Sequence, residues 1–349
     1  MNRFRNLIAL LFLVLPLLNL TADQKITDKI SLDTEFYFRT NDQIAYTDYF
    51  KLGVELDGRF EPSDNWELGL KIDAAYDRVN AEDIWLRYKG SGRMRYQLGL
   101  FENEILLEDQ FSSIDVPFRT DALIRRHMDY SGWYSSRATG LKVYRNFKEE
   151  TLPLSTFAHL FFHPGGREVQ LNTGAYYPFG QKEDRWIGFS GAWYPYIVHN
   201  NWIGQEKTYA QDNNFIFQGV IADTGGDIIY RGSVTTGSNL VDPVGITHLP
   251  GNGEPSWFAG ADLMAGLNIG DKKFRWIPGL EASWLTYDLN TPDCWRLDLR
   301  TGQQLAWDKT FYLHLEGGLG ILTNYSDGAQ EILQTALEGL WGISLQVRL

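Results

Sequence analysis

The 349-residue chain contains a single cysteine, Cys294, and therefore cannot form an internal disulfide. Small secreted domains rely on such bridges, so a chain of this size without them must be held together by packing and hydrogen bonds. Basic residues are also scarce, because 32 lysines and arginines stand against 44 aspartates and glutamates, a formal net charge of -12. This balance argues against nucleic acid as a partner, since nucleic acid selects for a basic surface.

Long hydrophobic runs are scarce as well. The longest spans residues 7–20 and follows the basic residues Arg3 and Arg5. A basic segment, a short apolar run and a small residue such as Ala22 are typical of a secretory signal peptide. We therefore expect residues 1–22 to be removed and the mature chain to be exported. An uncleaved N-terminal anchor is the alternative, although the run is short for a membrane span of about 20 residues.

Beyond the N-terminal run, apolar and polar residues alternate regularly. A mean hydropathy of -0.29 and the lack of a second long apolar run exclude a helical membrane protein. They do not exclude a barrel of membrane-spanning strands, in which only every second side chain faces lipid. In one segment, for example, Trp66 and Leu68 share a face and Glu67 lies on the other.

Many segments follow this rule, and tight turns separate several of them. Most of them have at least the 9 to 11 residues that a strand needs to cross a bilayer. We predict strands near residues 30–38, 50–60, 66–76, 84–88, 94–100, 138–146, 151–162, 168–177, 185–194, 214–222, 226–236, 257–269, 274–287, 294–307, 311–322 and 337–349.

The connections between these segments alternate in length. Those after every second strand are brief, such as 61–65 and 308–310, whereas long ones such as 102–137 and 237–256 fall between them. Short periplasmic turns and longer external loops alternate in this way in bacterial outer-membrane barrels. The predicted fold is therefore all-β, a transmembrane antiparallel up-and-down β-barrel of about 16 strands. It occupies residues 23–349.

The segment 102–134 interrupts the alternation. It is rich in charge and contains Pro117, yet Phe111, Phe118 and Ile124 give it too much apolar surface for a free loop. Long insertions in compact domains are usually functional or disordered. We predict that this one is a constriction loop that folds back into the mouth of the barrel.

The strand before this segment ends with Gly99 and Phe101, and the strand after it starts with Arg137 and Gly140. In these residues the region resembles the phosphate-selective porin O and P family. In that family a strand ending in Gly-x-Phe leads into a constriction loop, and the chain returns through a strand that starts with Arg-x-x-Gly. The resemblance implies a channel, often a homotrimer, whose lumen the loop narrows. The family's lysine cluster and arginine ladder have no residue-by-residue match here, so phosphate selectivity is not implied. The matching residues are Gly99, Phe101, Ser112, Ser113, Phe118, Arg125, Arg126, Arg137 and Gly140.

Charged residues of the loop and of the neighbouring strands form the candidate site. An Arg or Lys that faced lipid at the midplane would cost about 2 to 4 kcal/mol, so these residues must face water or one another. Walls and rings of charge set the ion selectivity of a pore. Salt bridges that brace the wall are the alternative interpretation of many of them. For the pore constriction we predict Arg119, Arg125, Arg126, Glu104, Glu108 and Asp109, and for the pore wall Arg87, Arg93, Arg95, Arg137, Lys142 and Arg145.

Other chemistry has weaker support. His127, Asp129, Ser112 and Ser113 include the residue types of a hydrolytic triad, but nothing in their spacing fixes a triad geometry. The acidic residues of the stretch 223–227 could bind calcium, although a glycine-rich turn between strands explains the stretch more simply. We therefore expect no enzyme activity, no metal and no cofactor.

The sequence thus predicts an outer-membrane porin, a passive diffusion channel for small hydrophilic solutes or ions, anions among them. Its partners would be the lipid of the bacterial outer membrane and the solute. A plugged barrel with an adhesive or structural role is the alternative. Tryptophans on the apolar faces suit the headgroup level of a membrane, whereas in a soluble sandwich they would fill a core or a sugar-binding face. These are Trp66, Trp186, Trp276, Trp284, Trp307 and Trp341.

Overall fold

A computed structural model describes most of the chain beyond residue 23. The predicted signal peptide, residues 1–22, lies outside the described residues. These are 24–27, 30–41, 51–75, 79–101, 116–118, 122–130, 138–145, 154–162, 169–179, 185–195, 213–223, 225–239, 257–271, 273–289, 294–308, 310–325 and 334–348.

Most of the described residues form β-strands. Two strands are short, β1 (Gln24–Thr27) and β14 (Ile269–Gly270), and the others are 8 to 15 residues long. The long strands are β2 (Ile30–Asn41), β3 (Lys51–Ser63), β4 (Trp66–Ala75), β5 (Val79–Lys89), β6 (Met94–Phe101), β7 (Ala138–Arg145), β8 (Ser155–Phe162), β9 (Val169–Pro178), β10 (Arg185–Tyr194), β11 (Asn214–Asp223), β12 (Ile228–Ser238), β13 (Trp257–Leu267), β15 (Phe274–Thr286), β16 (Trp295–Trp307), β17 (Phe311–Tyr325) and β18 (Gln334–Arg348).

Each long strand pairs in antiparallel register with the long strands before and after it. β13 pairs directly with β15, because β14 is a short extension beside β15. β18 pairs with β2, where Leu345 lies opposite Phe38, so the ladder of hydrogen bonds returns to the strand from which it starts. The fold is an all-β, antiparallel, up-and-down barrel of 16 long strands, which confirms the prediction from alternation.

The connections lie at two distinct ends of the barrel. Residues 64–65 join β3 to β4 and residues 308–310 join β16 to β17 at one end, which we refer to as the turn end. The connections 102–137, 195–213 and 239–256 all lie at the other, the loop end. The predicted separation of short turns from long loops is therefore confirmed.

Burial along the strands follows the predicted alternation. On β4, Glu67 and Asp73 are buried, whereas Leu68 and Leu70 are 42% and 45% exposed. The barrel therefore has an outer face with exposed apolar side chains and an inner face with mostly polar ones. This is the distribution that a barrel surrounded by lipid requires.

The position of Trp186 differs from the prediction. Trp186 is only 2% exposed and lies on the inner face, where it packs with Phe157 of β8 and Tyr176 of β9. The outward positions of its strand are taken by Ile187 and Phe189, so the alternation of β10 directs the indole inward. The outer-face prediction is confirmed for Trp66, Trp284, Trp307 and Trp341.

The described part of the chain also contains one α-helix, α1 (Leu123–Tyr130), within the connection from β6 to β7. It contacts β13 and β15. Among the described residues, no helix is long and apolar enough to cross a membrane.

Candidate functional site

The predicted constriction loop enters the barrel. Its described residues, 116–118 and 122–130, are mostly buried, and side chains from both segments contact the walls at β13, β15 and β16. The contacted face is the inner one, because Leu280 of β15 and Leu299 of β16 alternate with the contact positions and are exposed. The prediction that the loop folds back into the barrel is thus confirmed for these residues.

Three neighbouring strands carry a glycine on the inner face where the loop approaches. A Cβ atom at these positions would lie 2.4 to 2.8 Å from a loop side chain, closer than van der Waals contact permits. Larger residues would push the loop away, so these glycines, which we refer to as the glycine seat, set its position. The pairs are Gly260 (β13) with Ile124, Gly279 (β15) with Pro117 and Gly302 (β16) with Phe118.

Pro117 and Phe118 reach the middle of the barrel. Gly279 and Gly302, the glycines that they touch, lie near the centres of the 13-residue strands β15 and β16. The guanidinium of Arg300 lies over the Phe118 ring, 5.2 Å from its centroid, an attractive cation–π arrangement. The loop therefore occupies part of the lumen at the depth where a constriction would select solutes.

Helix α1 packs against the wall closer to the loop end. Its side chains Leu123, Ile124 and Met128 are almost fully buried in one apolar cluster. Burial of side chains of this size contributes roughly 1.5 to 3 kcal/mol each. The other members of the cluster lie at the loop ends of their strands: Ala192, Tyr194, Ile216, Phe258, Leu285, Tyr287, Cys294 and Leu322.

His127 provides one polar attachment of α1 to the wall. Its Nε2 lies 2.8 Å from Oδ1 of Asn239, and the amide nitrogen of Asn239 donates to the carbonyl oxygen of Tyr287 at 2.8 Å. The rings of Phe258 and Tyr287 meet the imidazole edge-on, with centroid distances of 4.7 and 5.3 Å. Burial lowers the pKa of His127 to about 4, and the hydrogen bond with Asn239 opposes this only in part. His127 is therefore neutral at neutral pH.

Arg126 provides a second attachment through an ion pair with Asp298 on β16. The second carboxylate oxygen of Asp298 accepts a hydrogen bond from Nε of Arg296 at 2.6 Å. Arg296 also pairs with Glu338 of β18 at 2.8 Å. Asp298 is buried, and both of its oxygens are used by guanidinium groups. It is therefore the residue through which the loop and the wall share one charge network.

Two of the predicted constriction residues lie in the described part of the loop. Arg126 is used for attachment, and Arg125, next to it on α1, is half-buried. The others lie outside the described residues, and their roles stay predictions: Glu104, Glu108, Asp109 and Arg119.

Among the predicted wall residues, Arg87, Arg95 and Lys142 lie on the inner face by the alternation of β5, β6 and β7. Arg87 donates to Oε1 of Gln97 at 2.7 and 3.1 Å and pairs with Glu67 at 3.1 Å. All three nitrogen atoms of its guanidinium group therefore donate a hydrogen bond. Arg87 therefore braces three neighbouring strands, β4, β5 and β6.

Arg93 and Arg145 lie elsewhere than predicted. Arg93 ends the 3₁₀ turn Ser91–Arg93 with a φ of 64°, so it belongs to the turn end and not to the wall of the lumen. Arg145 is an odd number of residues from Lys142 and shares the outer face at the end of β7 with Val143. The sequence pattern had assigned both to the wall, but it does not fix where a turn ends or which face a residue at the end of a strand takes. Arg137 lies outside the described residues.

Ion pairs brace the barrel, as the salt-bridge interpretation predicted. Lys71 on β4 lies 3.0 Å from Glu55 and 3.3 Å from Glu82. Arg300 on β16 pairs with Glu281 on β15, and both are buried. Charges paired in this way act on a passing ion less strongly than their number suggests, because their fields largely cancel.

Of the residues considered for a hydrolytic triad, His127 is the one whose side chain the structure describes. Its Nε2 is engaged by the Asn239 amide, and its ring is buried between aromatic side chains. Ser112 and Ser113 lie outside the described residues. In the described residues His127 therefore attaches the loop, and a general base would need access to a substrate that this burial denies.

The stretch 223–227 forms a turn. One oxygen of Asp223 accepts hydrogen bonds from the backbone N–H groups of Gly225 and Gly226 at 3.2 and 3.1 Å, and the other pairs with Arg185. The carboxylate is thus used to close the turn from β11 to β12. Within the described residues no group of three or more His, Cys, Asp or Glu side chains could hold a metal ion.

The residues that position the loop were not identified from the sequence. Asp298, Asn239 and the glycine seat lie far from residues 102–134 along the chain. Alternation places Asp298 and the seat glycines on inward faces, which was a usable signal. It does not say which of the strands the loop touches, so the contacts required the tertiary structure.

No family model and no curated protein sequence matches the chain, so the resemblance to the phosphate-selective porin O and P family stays a prediction. Solved structures are similar in fold. The trimer form of in-vitro folded OmpT, an outer membrane protein of Vibrio cholerae, is 13% identical, with 92% of this chain and 99% of that chain covered and a TM-score of 0.59.

Two further solved structures are similar to this chain in fold. The anion-selective porin from Comamonas acidovorans is 11% identical, covers 91% of this chain and 98% of its own, and has a TM-score of 0.56. The high-pH structure of OprB from Pseudomonas putida is 11% identical, with coverages of 92% and 94% and a TM-score of 0.61. The chain therefore has the barrel fold of these bacterial outer-membrane proteins.

Proposed function

We propose that this protein is a porin, a passive diffusion channel for small hydrophilic solutes or ions. The observation that carries the proposal is the loop held against the inner wall at mid-depth by the glycine seat. Barrels of about 16 strands are wide enough for an aqueous lumen. An inserted loop narrows such a lumen to a size-selective constriction, and the porins of similar fold support this function.

The bacterial outer membrane is the proposed location. Exposed apolar side chains surround the outer face, and Phe189, Leu263 and Leu337 are among the most exposed. In water such a band would be a large unprotected apolar surface, whereas in a bilayer it is solvated by lipid. Export through removal of residues 1–22 fits this location. Assembly as a homotrimer is part of the proposal, and a trimer form is known for the similar OmpT.

Selection in the proposed channel is by size and charge, without catalysis or cofactor. Arg125 on α1 and the inner-face residues Lys142 and Arg95 are the described cations that we assign to this selection, because they lie on the loop and on the wall of the lumen. Arg119, Arg137 and the acidic residues Glu104, Glu108 and Asp109 complete the proposed constriction and wall. The channel favours anions if the positive charge of these Arg and Lys side chains exceeds the negative charge of the Glu and Asp side chains.

A plugged barrel with an adhesive or structural role is the second candidate. Inner-face residues on distant strands, including Asn172, Gln304 and His314, have no exposed surface. Side chains therefore fill much of the interior at these positions. This observation favours a barrel with little or no open lumen.

Current across a planar lipid bilayer that contains the refolded protein distinguishes the two. Stepwise conductance in a salt gradient is expected for the channel, and the sign of the reversal potential gives its ion preference. A correctly folded protein that conducts no current would contradict the channel and support the plugged barrel.

A further inference from the structure

The inner face of the barrel is exposed to water on one side and mostly buried on the other. On most strands from β8 to β18 the inner-face side chains near mid-depth are buried, and His159, Ser190 and Ser233 are only 0%, 7% and 4% exposed. On β3 to β7 charged side chains of the inner face keep exposed surface, and the side chain of Asp57 on β3 is 30% exposed. Water inside the barrel therefore borders the wall formed by β3 to β7.

Lys71 on β4 forms a charge triad with the two neighbouring strands of this exposed side. Its Nζ lies 3.0 Å from Oε1 of Glu55 on β3 and 3.3 Å from Oε2 of Glu82 on β5. The three side chains are 21% to 25% exposed. Because one ammonium group faces two carboxylates, this group, which we refer to as the exposed triad, has one excess negative charge.

Arg300 on β16 forms a triad of the same charges on the buried side. It pairs with Glu281 on β15, and its guanidinium lies 3.7 Å from Oε2 of Glu316 on β17. These side chains are only 1% to 5% exposed, and the ring of Phe118 covers the Arg300 guanidinium. The barrel thus carries two triads of equal charge near mid-depth, and this buried triad differs from the exposed triad in its contact with water.

Contact with water decides whether a triad can act on a passing ion. The Coulomb energy falls with distance, so a charge that borders water acts most strongly on an ion beside it. An ion in the lumen cannot approach the buried triad in the same way, because other side chains separate the two. Carboxylates that line an aqueous pore give it a preference for cations.

The other described charges of the exposed side do not offset the excess negative charge at this depth. Asp57 pairs with Arg59 at 3.3 Å, so that pair is neutral as a whole. Asp83 lies directly opposite Lys71, is partly exposed and adds a further negative charge. The basic residues of β5 to β7 lie nearer the turn ends of their strands: Arg87, Arg95 and Lys142.

We propose that solutes pass along the β3 to β7 side of the lumen and that the exposed triad makes this passage selective for cations, protonated amines included. This inference rests on the proposed channel and names its ion preference. It also accounts for the buried residues that favour a plugged barrel, because Asn172, Gln304 and His314 all lie on the other side of the barrel.

Reversal potentials of the full-length protein in a planar bilayer test the ion preference. A gradient of dilute potassium chloride is used, because salt screens exposed charges. The native protein is expected to prefer potassium. Glu82→Gln removes the excess negative charge while Glu55 still pairs with Lys71, and it should lower the permeability ratio of potassium to chloride several-fold.

The buried triad supplies the matched control. Glu316→Gln removes the same charge while Arg300 keeps Glu281, and it should leave the permeability ratio nearly unchanged. Lys71→Met, which increases the excess negative charge of the exposed triad, should raise the ratio. A native channel that prefers anions would overturn the proposal and retain the proposed channel. An equal change in Glu82→Gln and Glu316→Gln would also overturn it.

Thiol labelling tests the position of the passage independently of ion preference. Asp57→Cys and Ser190→Cys are made in a Cys294→Ala background, and Ser190→Cys changes a single atom. A cationic, water-soluble methanethiosulfonate reagent should modify Asp57→Cys in the folded protein and Ser190→Cys only after unfolding. Equal labelling of the two folded variants would overturn the proposed passage. Labelling of Asp57→Cys alone in a protein that conducts no current would contradict the channel and retain the water-filled side of the lumen.

Discussion

The two sides of the barrel use glycine for different purposes. On the wall formed by β13, β15 and β16, the seat wall, the three glycines of the glycine seat are covered by side chains of the loop. On the wall formed by β4 to β9, the ring wall, three inner-face glycines are covered by aromatic rings of the wall itself. A Cβ on these glycines would lie 2.2 to 2.9 Å from a ring: Gly69 from Trp85, Gly174 from Phe157 and Gly140 from Phe161.

The difference explains where the loop lies. The ring wall fills its own inner surface, and the clusters around Trp85 and Phe157 are nearly fully buried. On the seat wall, the side chains nearest to Gly279 and Gly302 are Pro117 and Phe118 of the loop, so the wall offers them a shallow surface. Asp298 of the seat wall also pairs with Arg126 of the loop, whereas Arg87 of the ring wall pairs with Glu67 of the same wall.

The largest effect is expected from Asp298→Ala. Removing this carboxylate leaves Arg126 without its partner and Arg296 with only Glu338, and breaking a buried pair costs about 3 to 5 kcal/mol. Equilibrium unfolding of the refolded protein in urea measures the loss. Asp57→Ala serves as the matched control, since the side chains of Asp57 and Arg59 are 30% and 49% exposed and such pairs contribute about 0 to 1 kcal/mol. Equal losses in the two variants would contradict the role assigned to Asp298.

Gly302→Val tests the seat wall against the ring wall. Overpacking typically costs about 1 to 3 kcal/mol, and here it should also displace Phe118 and reduce hydrogen-exchange protection of the loop. Gly174→Val on the ring wall should destabilise the barrel by a similar amount and leave the loop protected. Gly317→Val, where the nearest atom to a Cβ is 3.9 Å away, controls for the change of residue. Loss of loop protection in Gly174→Val would contradict the statement that glycines of the seat wall, and not those of the ring wall, position the loop.

Arg126→Ala and Arg125→Ala separate attachment from selection. Arg126→Ala should reduce loop protection, because it removes the ion pair with Asp298. Arg125→Ala should shift the reversal potential toward cation preference, because it removes a cation of the loop that we assign to ion selection. The bilayer measurement in a salt gradient checks the second expectation, and an unchanged reversal potential would mean that Arg125 does not act on ions in the lumen.

The smallest effect is expected from Arg87→Met on the ring wall. Met removes the guanidinium that lies over the Trp85 ring, 4.1 Å from its centroid, whereas Glu67 retains Lys89 at 3.9 Å as its remaining partner. Because the lost charge was already paired, we expect a modest loss of stability and a smaller shift in reversal potential than in Arg125→Ala. A larger shift from Arg87→Met would place the selecting charge on the ring wall.

The strands and faces of this protein were predictable from its sequence because alternation is a local property. Two successive side chains on a strand must point to opposite faces, so Leu68 and Glu67 identify outside and inside without knowledge of any partner strand. The count of strands and the two kinds of connection follow from the same pattern. The few failures were local as well: Trp186 is an aromatic residue on an inner face, and Arg93 belongs to a turn.

The sequence by itself therefore determined a barrel with a long insertion whose apolar residues must be buried against another part of the chain. Only the tertiary structure decided where that insertion lies, because its contacts join residues separated by well over a hundred positions, such as Arg126 and Asp298 or His127 and Asn239. An inward glycine looks the same in the sequence whether a ring of its own wall or a side chain of the loop covers it. The position of the loop is set by complementarity of shape and charge between distant segments. This complementarity exists only when the barrel has formed.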